Sequence, residues 1–253
     1  MTTPQLDTGL WARTYHPAAA GSPRLVCLPH AGGSASFYFP VSRTLAPAIE
    51  VVAIQYPGRQ DRRLEPCVPD LPELARLVFG VLEPMTDRPL ALFGHSMGAS
   101  LAFEVARLLE QEAGVVPVRL YASGRRAPSR LRHETVHLLD DAGLLADVKR
   151  LSGTDAAILG DEELLRMALP AIRNDYKAAE TYKYEPGPLL TCPITVFTGA
   201  DDPKTTPEEA GAWAEHTTGE TELKVFPGGH FFLTRHQGEI LGTIRRQVTG
   251  SAA

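Results

Sequence analysis

The sequence predicts an α/β fold: a mostly parallel central sheet with helices on both faces. Three observations predict it. Short apolar runs bounded by Gly and Pro alternate with amphipathic helical patterns along most of the chain. The strand-like runs read as buried, and strand followed by helix, repeated, is the pattern of a parallel sheet covered on two sides. The 253 residues are 43% apolar and 22% charged, which suits one substantial core in a single domain.

In chain order the expected strands are 24–28, 51–54, 90–93, 118–122, 194–198 and 222–226. Their length, valine content and flanking turn residues favour strand over buried helix. The low-complexity stretch HPAAAGS, 16–22, links two early strands. Asp70 with Glu73 forms a capping-box pattern, and Leu71, Leu74, Val78 and Leu82 share one helical face. A second helix runs over 97–113, with Leu101, Val105, Leu108 and Glu112 on one face and Gly114 as its stop. Thr206 caps a third, with Pro207 at the first position and Glu209 at the box position. Thr234 with Gln237 opens the last, which buries Ile240, Leu241, Ile244 and Val248. The alternation breaks between about 127 and 188. There two helices, 140–152 ending at Gly153 and 161–182 kinked at Pro170, form an insertion expected to lie over the strand ends.

Composition excludes several classes. A net charge of −5 argues against a nucleic-acid binder, which needs a basic face. Three cysteines, Cys27, Cys67 and Cys192, with no CxxC spacing support neither a disulfide framework nor a zinc site. No basic, then apolar, leader opens the chain, and no apolar stretch is long enough for a span, so a cytoplasmic, soluble protein is expected.

Residues 90–98, LALFGHSMG, read as a strand running into G-x-S-x-G and then directly into a helix. That context makes Ser96 the expected nucleophile on a tight turn, with Gly94 and Gly98 removing side chains that would collide there. The fold is then an α/β-hydrolase fold. A serine hydroxyl needs a neutral imidazole as base and a carboxylate to orient it, in the order Ser…Asp/Glu…His. His216 and His236 lie on helical segments. His230 follows PGG in a loop after the last strand, within reach of the strand ends, and is the expected base. Asp201 and Asp202 compete as the acid. Asp202, three residues past Gly199, is preferred. The oxyanion hole needs two donors. The Met97 N–H is one, and the Ala31 N–H, in the LPHAGG turn after the first strong strand, is the other.

With these parts assembled, the chain resembles the type II thioesterases, stand-alone editing enzymes of polyketide and nonribosomal peptide synthases. The resemblance spans nearly the whole chain: LPHAGG at 28–33, QYPGRQDR at 55–62, FGHSMGA at 93–99, SGRRAP at 123–128, LPAIRNDYKAAETYKY at 169–184, CPITVFTGADDP at 192–203 and FPGGHFF at 226–232. The family's G-x-x-D pattern matches Asp202. The resemblance implies a substrate, an acyl thioester on the phosphopantetheine arm of an acyl or peptidyl carrier protein, and a role in removing stalled acyl groups. No cofactor or metal is implied, since phosphopantetheine arrives with the substrate, and a monomer is expected. Arg59, Arg62 and Arg63, and Arg125, Arg126 and Arg130, form two basic clusters that could guide an acidic, phosphate-bearing carrier protein to the mouth of the site. Solvated loops with internal salt bridges are the competing account, on even terms. Rival functions are a general carboxylesterase or lipase, a medium-chain fatty acyl thioesterase, and a non-catalytic carrier-binding module.

Overall fold

The computed structural model describes residues 7–152 and 162–250. Seven strands form one sheet: β1 (Ala12–Arg13), β2 (Arg24–Leu28), β3 (Glu50–Ile54), β4 (Leu90–His95), β5 (Leu120–Ser123), β6 (Ile194–Gly199) and β7 (Thr221–Phe226). Their spatial order is β1-β3-β2-β4-β5-β6-β7. Every pairing is parallel except that of β1 with β3. The helices are α1 (Thr8–Trp11), α2 (Phe39–Leu45), α3 (Leu71–Leu82), α4 (Met97–Gln111), α5 (Asp141–Ser152), α6 (Glu162–Thr181), α7 (Pro207–Gly211), α8 (Phe232–Arg235) and α9 (Gln237–Thr249).

Alternate strand residues feed two cores. Val26, Leu28, Val52, Leu92 and Val196 pack with Leu74 and Val78 of α3 and Leu101 and Val105 of α4. Leu25, Cys27, Val51, Phe93 and Phe197 pack with Leu45 of α2 and Ile240, Leu241 and Ile244 of α9. The strands carry apolar side chains on both faces because both faces are covered. Cys27 and Cys192 are free and buried, as small apolar side chains.

The element boundaries differ from expectation in instructive ways. β1 is two residues long, too short to leave a period in the sequence. HPAAAGS does connect two early strands, β1 and β2. β7 is not a buried strand: Leu223 and Val225 are exposed and only Phe226 is buried, because among the described residues no strand pairs beyond it. Asp70 accepts from the Glu73 N–H at 2.8 Å. The full reciprocal box forms at Thr206 and Glu209. The last helix opens at Gln237, not Thr234, which sits in the separate turn α8.

Between β5 and β6 no strand occurs among the described residues. α5 and α6 fill the gap, and α6 runs unbroken through Pro170. The expected stop at Gly153 lies outside the described residues. Leu144, Leu145 and Leu151 of α5 bury against Leu169, Ile172 and Tyr176 of α6, a third core separate from the two on the sheet. No helix among the described residues is long and apolar enough to cross a membrane.

Candidate active site

Ser96 lies between the end of β4 and the start of α4, at φ 56° and ψ −121°. A non-glycine residue holds such backbone only where its surroundings enforce it, at a cost of order 1–3 kcal/mol. Here the enforcement is steric. A Cβ on Gly94 would stand 2.0 Å from the Gly98 carbonyl oxygen, and one on Gly98 would stand 2.1 Å from the Leu28 carbonyl oxygen. The turn closes with backbone touching backbone, and Oγ projects from its crest. Gly98→Ala therefore reverses the usual rule. At an ordinary helix position that change stabilises by roughly 1 kcal/mol. At Gly98 it must push α4 off β2, so we expect a fall in Tm of several degrees and lost turnover. A raised Tm in a thermal melt would contradict this packing.

The His230 loop joins β7 to α8 and reaches back over the strand ends. Nε2 of His230 is 3.0 Å from Oγ of Ser96. Nδ1 is 2.9 and 3.0 Å from the two oxygens of Asp202. A carboxylate can only accept, so Nδ1 carries the proton and Nε2 presents its lone pair to Ser96. The Asp202 side chain also accepts from the Lys204 N–H at 2.8 Å. Asp201 is exposed, and its N–H donates to the Gly228 carbonyl at 3.0 Å. Of the two aspartates, it is Asp202 whose carboxylate the structure places against His230.

His216 and His236 stand elsewhere. His216 is buried among Phe103, Trp213 and Tyr184, with Nε2 3.0 Å from Ser129 Oγ. His236 precedes α9, and its Nε2 is 3.0 Å from the Pro227 carbonyl.

Two histidines that the sequence reading passed over surround the triad. His95 lies 5.0 Å from His230, ring centre to ring centre, and its Nδ1 is 3.0 Å from Ser123 Oγ. His30 packs on Phe231 at 5.1 Å. Burial, with the nearby His230, pushes His30 down to about 4 and His95 well below the usual imidazole range. Both are neutral at pH 7, so they surround His230 without competing for its proton.

A cavity of about 160 Å³ opens beside Ser96. Ala31 and Met97 line it, and neither backbone amide donates to an acceptor among the described residues. The Gly33 N–H is taken by the His30 carbonyl at 2.8 Å and the Gly32 N–H by Asp175 at 2.8 Å. The far wall is built by α5 and α6: Val148, Leu151, Ala168, Ile172 and Tyr176. Ala168, Ile172, Tyr176 and Glu180 fall at intervals of four along α6, a stripe that could have been read from the sequence. Arg125, Glu134, Glu180 and Lys204 add charge to the lining, with Lys204 Nζ 5.8 Å from the centre of the Tyr176 ring. Burial alone would raise the Glu134 carboxyl, but hydrogen bonds from Lys204 and Arg126 win and hold it down to about 2.

The proposed docking arginines need correction. Arg59 and Arg126 are 7% and 5% exposed. Arg59 forms a bidentate pair with Asp175 at 2.6 and 2.9 Å, and Arg126 pairs with Glu134 at 2.5 Å. Arg62 is buried against Trp11 and pairs with Glu65. Arg59 and Arg126 cannot turn to a partner protein without leaving the carboxylates of Asp175 and Glu134 short of a partner in the interior. Arg125 faces the cavity and donates to Ser100 Oγ at 3.0 Å and to the Ala179 carbonyl at 3.1 Å. Burial, then the charge of Arg126, pushes it down to about 10, so it stays cationic at neutral pH. Of the two clusters, Arg63 and Arg130 are exposed, and Arg130 is tied to Glu215.

A thioesterase-domain family model matches residues 23–248, from the start of the sheet to the end of α9. The chain belongs to the thioesterase domain family. It is 60% identical over 236 residues to a probable cadicidin biosynthesis thioesterase of Streptomyces griseus, covering 93% of this chain and 65% of that one. It is 53% identical over 240 residues to the thioesterase PikA5 of Streptomyces venezuelae, covering 94% and 85%. The solved structure of BorB, a type II thioesterase from the borrelidin biosynthetic cluster, superimposes with a TM-score of 0.92 at 55% identity, over 94% of this chain and 98% of that one. The α/β-hydrolase architecture expected from the strand–helix alternation is that of these relatives.

Proposed function

We propose that this thioesterase hydrolyses acyl thioesters carried on the phosphopantetheine arm of carrier proteins, clearing stalled or aberrant acyl groups from a polyketide or nonribosomal peptide synthase. The hydrogen-bonded line Asp202–His230–Ser96, ending at a partly apolar cavity, is the observation that carries the reading. The relatives' names supply the setting.

The chemistry follows from the atoms at hand. Ser96 Oγ attacks the thioester carbonyl carbon as His230 Nε2 takes its proton. The carbonyl oxygen becomes an oxyanion between the Ala31 and Met97 N–H groups, whose lack of acceptors leaves them free for this charge. The C–S bond breaks, and the imidazolium returns the proton to the pantetheine sulfur. Water then attacks the acyl-enzyme, giving its proton to His230, and the collapse that frees the acid restores the Ser96 hydroxyl. α5 and α6 act as a lid within a single domain, their apolar side chains receiving the acyl chain.

The test is one acyl group presented three ways, on a carrier protein, on a pantetheine thiol and as an oxygen ester. We expect the highest kcat/KM on the carrier protein. Preference for the oxygen ester would retain the triad and overturn the substrate class in favour of a general esterase. Binding of the acyl carrier without turnover would favour a non-catalytic module.

A further inference from the structure

We propose that Asp175 and Arg59 are positioning residues for the oxyanion loop, and that they make α6 a fixed part of the catalytic apparatus.

The loop after β2 has to present one N–H, that of Ala31, at a fixed point. The two amides that follow it are spoken for. The Gly33 N–H closes the turn onto the His30 carbonyl at 2.8 Å. The Gly32 N–H donates to Asp175 Oδ2 at 2.8 Å. The Gly33 carbonyl accepts from Arg59 Nη1 at 3.1 Å. Asp175 and Arg59 are themselves joined by two hydrogen bonds of 2.6 and 2.9 Å. Asp175 is 1% exposed, and it belongs to α6, more than a hundred residues from the loop it holds. Two of three consecutive amides in the loop are thereby removed from the cavity, and the third is left for the oxyanion.

Packing enforces the same register. Gly32 has φ +74°, and a Cβ there would stand 2.5 Å from Ile172 Cγ1, one turn before Asp175 on the same helix. α6 therefore seats on the loop by van der Waals contact and by a desolvated ion pair together. Separating them would expose a carboxylate and a guanidinium that have no other charged partner within the pair's surroundings, which is costly. α5 in turn is held to α6 by the aliphatic contacts of Leu144, Leu145 and Leu151, by the Arg173–Asp141 ion pair at 2.7 Å and by the Tyr176 hydroxyl, which donates to Asp147 at 3.2 Å.

This inference rests on the proposed acyl-transfer reading, and the experiment separates the two. Two variants are made, Asp175→Asn and Arg59→Lys. The first keeps an acceptor for the Gly32 N–H and loses the charge; the second keeps the charge and loses the fork. Each is titrated with two pantetheine-based ligands. One is a trifluoromethyl ketone, whose carbon bonds to Ser96 Oγ while its oxygen becomes the oxyanion and the hydroxyl proton goes to His230. The other is a thioether with no carbonyl at that position. Misplacement of a catalytic group by about 1 Å can cost about 100-fold, and we expect the ketone to weaken roughly 10- to 100-fold with kcat falling in parallel, while the thioether Kd and KM stay within about threefold. Equal weakening of both ligands, or a fall in Tm with kcat unchanged, would reduce the pair to scaffolding. If one variant fails to fold, the other carries the comparison. Absence of any ketone adduct on the unaltered enzyme would count against the acyl-transfer reading itself.

Discussion

Ser96→Ala is expected to cut turnover of an acyl-pantetheine thioester by roughly 10⁴-fold or more while leaving the fold intact. The two halves of this expectation come from different atoms. The fold half comes from the backbone: alanine keeps the Cβ, so the φ of 56° is held by the same Gly94 and Gly98 contacts. Only the hydrogen bond from Oγ to His230 is lost, at a half-exposed position facing the cavity. The change in Tm should accordingly be small, of order 1 kcal/mol in stability. The activity half follows because no other nucleophile can take over. Among the described residues the cavity is lined by no cysteine or second serine. What remains is oxyanion stabilisation and binding, which speed attack by water but cannot form an acyl-enzyme. A thermal melt and a hydrolysis assay on one preparation check both halves. Undiminished turnover in a folded variant would dismiss Ser96 and the mechanism with it.

How much of this site was legible in the sequence depends on how local each signal is. The elbow was legible because its strain, glycines and helix start all lie within Gly94–Gly98. The base was legible because a loop after the final strand must pass the strand ends. Between Asp201 and Asp202 the sequence offers a preference, through the spacing from Gly199, but not the contact that separates them: they share one turn, and only Asp202 meets His230, on another loop. The arginines were misread for the same reason on a larger scale. Arg59 looks like a charged loop residue until Asp175, far along the chain, is brought beside it by α6. Burial of an ion pair leaves no mark at either of its two positions separately. On α6 the four-residue stripe of Ala168, Ile172, Tyr176 and Glu180 is legible as a stripe, but that it faces the cavity is set by the packing of α6 on the loop after β2. β7 shows the converse error: an apolar run was read as buried, when its place at the sheet edge decides its exposure.

Asp202→Asn is expected to lower kcat by about 10⁴-fold with KM little changed, and Asp201→Asn to alter neither by more than about threefold. The asymmetry follows from hydrogen bonds. Oδ1 of residue 202 accepts from the Lys204 N–H at 2.8 Å as well as facing His230. In the asparagine variant the amide oxygen is the only acceptor, so the Lys204 N–H claims it. The NH₂ group then takes the place of Oδ2, 2.9 Å from His230 Nδ1. A donor there forces Nδ1 to accept, which moves the imidazole proton to Nε2. Nε2 then presents an N–H to Ser96 and cannot take its proton. The geometry of the site survives and its chemistry does not, so substrate should bind almost as before. Asp201 has no such relation: its side chain is exposed, and its contribution to the turn is a backbone N–H that asparagine also has. Steady-state kinetics on the two single variants decide the matter. Equal losses in both would mean that the turn, not the carboxylate, is what His230 depends on. A larger loss at Asp201 would reverse the assignment of the acid.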